Sequence, residues 1–86
     1  MQKESKYVLY VKSTCPFCIK AQELLKICDK QYRTVNLDAN PVLFESMKQA
    51  WEWKTVPMVF EFSDNDPSNT KFIGGYTDLK SVLIDE

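Results

Sequence analysis

Two thiols spaced three residues apart carry the strongest chemistry in this 86-residue sequence, in Cys15-Pro16-Phe17-Cys18. A C-x-x-C has two common uses, half of a zinc site or a dithiol that cycles with a disulfide. A structural zinc site takes about four ligands. Only Cys28 remains as a further thiol, and the chain has no His, so a zinc site closed within one chain is short of ligands. The missing His also excludes Ser-His-Asp triads, Cys-His dyads and imidazole acid–base chemistry. Catalysis here must come from thiols, carboxylates, lysines and the backbone.

The redox use has a local physical basis. Pro16 suits the first position of a helix, which puts Cys15 at its cap. The sulfur would then face unpaired backbone N–H groups and the positive end of the helix dipole. Lys12, three residues upstream, adds a positive charge. Both favour the thiolate, in a class of site whose pKa runs roughly 3.5–7.5 against ~8.5 for free Cys. Cys15 is therefore predicted to be the exposed nucleophile. Cys18, one turn in, is predicted to be buried, less ionised and suited to resolve a mixed disulfide. Cys28 reads as a small core residue.

These residues need elements to hold them. Tyr7–Lys12 is β-branched and aromatic and predicts a buried strand. Phe17, Ala21, Leu24, Leu25 and Cys28 form one stripe at helical spacing, so the first helix is predicted over about 16–30. Tyr32–Leu37 reads as a second strand. Asn40 and Pro41 then cap and open a second helix, with Leu43, Phe44, Met47, Ala50 and Trp51 as its apolar face. Val56–Phe62 is a third strand. Residues Ser63–Asn69 are turn formers and predict an acidic loop through Asp64 and Asp66. Thr70–Ile73 pairs back as a fourth strand, Gly74-Gly75 breaks it, and Thr77 caps a last helix whose Leu79, Val82 and Leu83 face the core. The order β-α-β-α-β-β-α, with a right-handed parallel first crossover, predicts an α/β fold with a mixed four-stranded sheet flanked by three helices.

Composition narrows the function classes. The length suits one domain over residues 1–86. Eleven Lys and Arg against 12 Asp and Glu give a net charge of −1, with no basic field for nucleic acid or anionic membranes. The longest apolar run, Tyr7–Val11, is far below the ~18 residues of a membrane span. Met1–Lys6 has no apolar region of the kind a signal peptide carries. Three cysteines are too few for a disulfide-stapled scaffold, so a reducing compartment, the cytoplasm, is expected.

From Tyr7 to about Leu83 the chain resembles a glutaredoxin, in the thioredoxin-fold superfamily. Four stretches carry the resemblance in order: Lys12-Ser13-Thr14-Cys15-Pro16-Phe17-Cys18, Thr55-Val56-Pro57, Val59-Phe60, and Gly74-Gly75-Tyr76-Thr77-Asp78-Leu79. The active-site stretch is similar to the dithiol class. The resemblance implies a glutathione-dependent thiol–disulfide oxidoreductase that reduces protein–glutathione mixed disulfides and protein disulfides. It implies Cys15 as nucleophile and Cys18 as the resolving thiol of the dithiol route. Glutathione would be the co-substrate, no metal is expected, and the protein would act as a monomer.

The resemblance also assigns a glutathione site to Lys12, Thr55, Val56, Pro57, Gly75, Tyr76, Thr77 and Asp78. Val56-Pro57 would be a cis peptide, bringing the backbone of Val56 to face the sulfur. Gly75, Tyr76 and Thr77 would present N–H groups to the γ-glutamyl carboxylate. Asp78 would take the ammonium and Lys12 the glycine carboxylate. The family often adds a Gln or Arg on the second helix, where this chain has Phe44. Lys48 and Lys54 are the nearby candidates to replace that charge. Phe17 stands where a Tyr is frequent, and the Ser63–Asn69 loop is longer than the family's tight turn. Trp51 and Trp53 are expected to pack the second helix against the sheet, with Trp53 near the site rim.

Three other functions use the same scaffold. A redoxin recharged by thioredoxin reductase is disfavoured by Lys12 and the Gly-Gly-Tyr-Thr-Asp-Leu stretch. A dimer bridged by a [2Fe–2S] cluster on Cys15 and glutathione is disfavoured by Pro16, again through the resemblance. A non-catalytic interaction domain would leave both thiols and Val56-Pro57 without a purpose.

Overall fold

The computed structural model describes residues 5–63 and 66–84. Its elements are β1 (Ser5–Val11), α1 (Pro16–Ile27), β2 (Gln31–Asn36), α2 (Pro41–Trp51), β3 (Met58–Ser63), β4 (Asp66–Gly74) and α3 (Tyr76–Ile84). The sheet order is β2-β1-β3-β4. β1 runs parallel to β2 and antiparallel to β3, and β3 runs antiparallel to β4. This is the predicted thioredoxin-like α/β architecture.

Side-chain alternation along β1 divides the core in two. Tyr7, Leu9 and Val11 point to one face, where they meet Cys18, Ala21, Leu24 and Leu25 of α1 and Leu79 of α3. Val8 and Tyr10 point to the other, where α2 brings Leu43, Phe44 and Met47 against Met58 and Phe60. The central strand is thus covered on both sides, which explains its unbroken apolar run. No helix among the described residues is long and apolar enough to cross a membrane.

Several boundaries differ from expectation. α1 ends at Ile27 with Cys28 as its C-cap, because Asp29 turns left-handed at φ 59. Phe17 is 54% exposed, so the buried stripe of α1 begins at Cys18. Ala50 and Val82 are exposed, since each helix is covered along one line only. β3 starts at Met58, two residues after the predicted start, because Val56 and Pro57 belong to the site-bearing turn.

The predicted Ser63–Asn69 loop is corrected. Ser63 closes β3, pairs with Asp66, and residues 66–69 already belong to β4. Backbone pairing overrides the turn-forming side chains there. Asp64 and Asn65 lie outside the described residues.

Candidate active site

Cys15 is the N-cap of α1, with extended backbone at φ −118 and ψ 104. Its carbonyl accepts the first helical bonds from the N–H groups of Cys18 and Ile19 at 3.1 and 3.3 Å. Its Sγ accepts the Cys18 N–H at 3.1 Å, so the sulfur takes the place a Ser or Asp oxygen fills in an ordinary cap. The thiol also lies 3.5 Å from the carbonyl oxygen of Val56, to which it donates. Cys15 is half-buried and Cys18 is buried. Burial, and then the side-chain contact with Cys15, push the Cys18 thiol up to about 12 from 9.0. A bond with the Lys12 backbone works in the opposite direction. Cys28 is half-buried against the α1 side of the core.

The Val56–Pro57 peptide is cis, as the resemblance implied. Seven of the predicted residues, Thr55, Val56, Pro57, Gly75, Tyr76, Thr77 and Asp78, line one groove of about 340 Å³ together with Phe17 and Trp53. Phe17 faces Tyr76 across it at 6.0 Å between ring centroids. Trp51 packs edge-on to Phe60 at 5.1 Å, and Trp53 edge-on to Phe72 at 5.4 Å. A larger groove of about 530 Å³ lies between α2 and the sheet, lined by residues such as Tyr10, Met47 and Trp51. Among the described residues its lining has no thiol, carboxylate or amine, so the smaller groove, which Val56 joins to Cys15, is the candidate site.

At the start of α3 one expectation is corrected. Thr77 lies inside the helix, and the cap is Gly75, whose carbonyl accepts from Leu79 N–H at 3.0 Å. Asp78 reaches back so that its Oδ2 accepts the Gly75 N–H at 3.1 Å. This is the reciprocal half of a capping box. The Gly75 N–H is therefore engaged, and the other first-turn donors belong to Tyr76 and Thr77, which line the groove. An acidic residue three positions after a glycine was the signal for this cap in the sequence.

Lys12 is the one residue of the predicted glutathione set that is not among the groove's described lining. Its ammonium rests over the Phe44 ring at 4.3 Å from the centroid.

A network that sequence reasoning missed holds the loop ahead of Cys15. Ser13 N–H donates to both oxygens of Asp38 at 3.2 and 3.3 Å. Asn36 Nδ2 donates to Ser13 Oγ at 3.1 Å, and Asp38 N–H to Asn36 Oδ1 at 2.7 Å. The Ser13 hydrogen bonds hold the Asp38 carboxyl below its ordinary 3.8. Asp38 sits 25 residues from Ser13, and no local signal ties them together.

Comparison with known proteins agrees with this fold. A family model described as Glutaredoxin matches residues 7–62. The chain is 34% identical over 78 residues to Glutaredoxin-C6 of Oryza sativa, covering 87% of this chain and 63% of that protein. It is 31% identical over 74 residues to Glutaredoxin 3 of Escherichia coli K12, covering 86% of this chain and 81% of that one. Among solved structures it is similar to a buckwheat glutaredoxin–glutathione complex. That similarity has a TM-score of 0.69 and 25% identity, over 86% of this chain and 64% of that one. The chain therefore spans slightly under two thirds of the rice and buckwheat proteins.

Proposed function

The chain belongs to the glutaredoxin family, and from that premise we propose that it is a dithiol, glutathione-dependent thiol–disulfide oxidoreductase with Cys15 as nucleophile. The observation that carries this reading is the Cys15 sulfur, which caps α1 and lies against Val56 at one end of the groove. The buckwheat relative, solved with glutathione, supports the choice of co-substrate.

The thiolate of Cys15 attacks the glutathione sulfur of a protein–glutathione disulfide. That S–S bond breaks, the protein thiolate leaves and takes a proton, and Cys15 keeps the glutathione as a mixed disulfide. A second glutathione thiolate attacks the bound glutathione sulfur. Glutathione disulfide leaves, and Cys15 returns as a thiolate. The bond from the Cys18 N–H and the N-terminal end of the helix dipole stabilise that leaving charge.

The groove residues orient the tripeptide. The cysteinyl backbone of glutathione pairs with the backbone of Val56 as a short added strand, beside Thr55 and Pro57. The γ-glutamyl carboxylate takes the N–H groups of Tyr76 and Thr77 at the start of α3. Gly75 lets this segment lie close to Trp53, and Asp78 meets the ammonium with the oxygen its cap leaves free. Lys12 serves the other carboxylate.

Cys18 enters when the substrate is a protein disulfide. Cys15 attacks that disulfide and one protein thiolate leaves. The Cys18 thiolate then attacks the Cys15 sulfur of the mixed disulfide, the Cys15–protein S–S bond breaks and the second protein thiolate leaves. Two glutathiones reduce the Cys15–Cys18 disulfide and depart as glutathione disulfide. Burial disfavours the Cys18 thiolate, whereas deglutathionylation needs the Cys15 thiol alone.

Glutathione-coupled reduction of a mixed disulfide by wild type, Cys15→Ser and Cys18→Ser tests this. Cys15→Ser is expected to be inactive, and Cys18→Ser to retain most of the activity. A wild type that ignores glutathione and turns over only with thioredoxin reductase would overturn the proposal.

A further inference from the structure

The two sides of Cys15 are held by different means. The side after it is helix, fixed by backbone bonds from Cys18 and Ile19 to the Cys15 carbonyl. The side before it, Lys12-Ser13-Thr14, leaves the sheet where the β1–β2 ladder ends at Val11 and Asn36. Backbone pairing stops there, and side chains from the turn after β2 take over. Ser13 N–H donates to both Asp38 oxygens at 3.2 and 3.3 Å, and Asn36 Nδ2 donates to Ser13 Oγ at 3.1 Å. Asn36 Oδ1 in turn accepts the Asp38 N–H at 2.7 Å, which aims the carboxylate.

This clamp is open to water, since Ser13, Asn36 and Asp38 are all exposed. Exposed hydrogen bonds add little to global stability, so its importance is local. Its place in the chain shows what it controls. Ser13 lies two residues before Cys15, and the Lys12 backbone, just before Ser13, bonds the Cys18 thiol. The clamped segment therefore leads into one thiol and touches the other. Cys15 itself has extended backbone, at φ −118 and ψ 104, so the segment before it helps to set where its sulfur sits. That sulfur meets two partners at once, the Cys18 N–H at 3.1 Å and the Val56 carbonyl at 3.5 Å.

We propose that Asp38 is a positioning residue for the nucleophile, whose carboxylate holds Ser13 so that the Cys15 sulfur stays on the cap of α1. Asn36 assists by orienting Asp38 and Ser13. The proposal takes Cys15 as nucleophile from the oxidoreductase reading above. Asp38 also lies in the field of Lys12, which gives the test a sign. If the carboxylate acted only through its charge, removing it would favour the Cys15 thiolate. Losing the clamp does the opposite, because a sulfur that strays from the cap loses its N–H bond.

Alkylation of Cys15 by iodoacetamide, followed by mass spectrometry across pH, reports the thiolate without glutathione. Asp38→Ala is expected to move this profile upward by about 0.5–1 pH unit. It should also lower kcat/KM for a protein–glutathione disulfide about three- to tenfold. Asp38→Asn keeps one acceptor oxygen and no charge, and should recover most of both. Asn36→Ala should shift the profile in the same direction by less. Glu23→Gln, which removes an exposed carboxylate elsewhere on α1, should change neither. Urea titration confirms that each variant is folded at the assay temperature. A profile that stays put or moves downward in Asp38→Ala, or that moves equally in Asp38→Asn, overturns the proposal. The expected shifts in a protein that ignores glutathione would sink the oxidoreductase reading and leave the clamp standing.

Discussion

Cys15 and Cys18 are three residues apart and chemically far apart. The difference comes from position in the first turn of α1. Cys15 precedes the helix and collects an N–H bond, whereas Cys18 turns inward among Ala21, Leu25 and Leu9. Tyr7 shares the buried side of that face. Burial, and then Glu61 within hydrogen-bond reach at 3.4 Å, push its hydroxyl up to about 12 from 10.0. Both groups are acids whose folded pKa lies above the unfolded one. The stability they contribute is complete below about pH 9 and is lost as pH rises towards 12. The urea midpoint is expected to fall steadily over that range, and Tyr7→Phe to flatten part of the fall. A midpoint constant from pH 9 to 12 would contradict this account.

At the scale of elements, the β4–α3 junction is the most tightly specified joint near the site. Gly74 has φ +126, where side chains are rarely tolerated. A Cβ there would strike the Asp78 carboxylate, with its Cγ only 2.8 Å away. That carboxylate also holds the Gly75 N–H. Gly74→Ala is therefore expected to cost roughly 1–3 kcal/mol, from backbone strain and the disturbed cap. Gly75→Ala would place its Cβ 3.5 Å from Trp53 Cζ2 and 3.7 Å from the Pro57 carbonyl, ordinary contacts, and should be milder. Urea titration of the two variants side by side checks the order. Equal losses would mean that the left-handed backbone is not the cause.

The whole molecule balances on a small core. A chain of this length holds only about 4–13 kcal/mol of stability. Leu25 is fully buried between β1 and α3, where loose collapse around a void is difficult. Leu25→Ala is expected to cost about 2–5 kcal/mol, a large share of the total, as seen in the denaturation midpoint. Cys15, the proposed nucleophile, lies at the N-terminal end of this same helix, so activity should fail at the temperature where the fold does. The second sheet face has one helix over it and depends on the Trp51, Phe60 and Phe72 cluster for its closure.

Much of this was legible in the order of residue types. Apolar periodicity and caps at Pro16 and Asn40 are local signals, so the β-α-β-α-β-β-α order, the parallel first crossover and Cys15 at a helix start could be read without coordinates. The groove residues could be named because Thr55-Val56-Pro57 and Gly75-Tyr76-Thr77-Asp78 form contiguous stretches that resemble a family. Local reading erred where pairing or a side chain from elsewhere outweighed propensity. β3 and β4 run through the predicted loop at Ser63 and Asp66 because a strand already in register continues its hydrogen bonds. Thr77 yields the cap to Gly75 because Asp78 can reach back to it. Only the tertiary structure joined Ser13 to Asp38 and set Lys12 and Lys48 over Phe44. Those contacts link residues far apart in the chain, and their energy depends on distances that exist only once β1, β2 and α2 have packed.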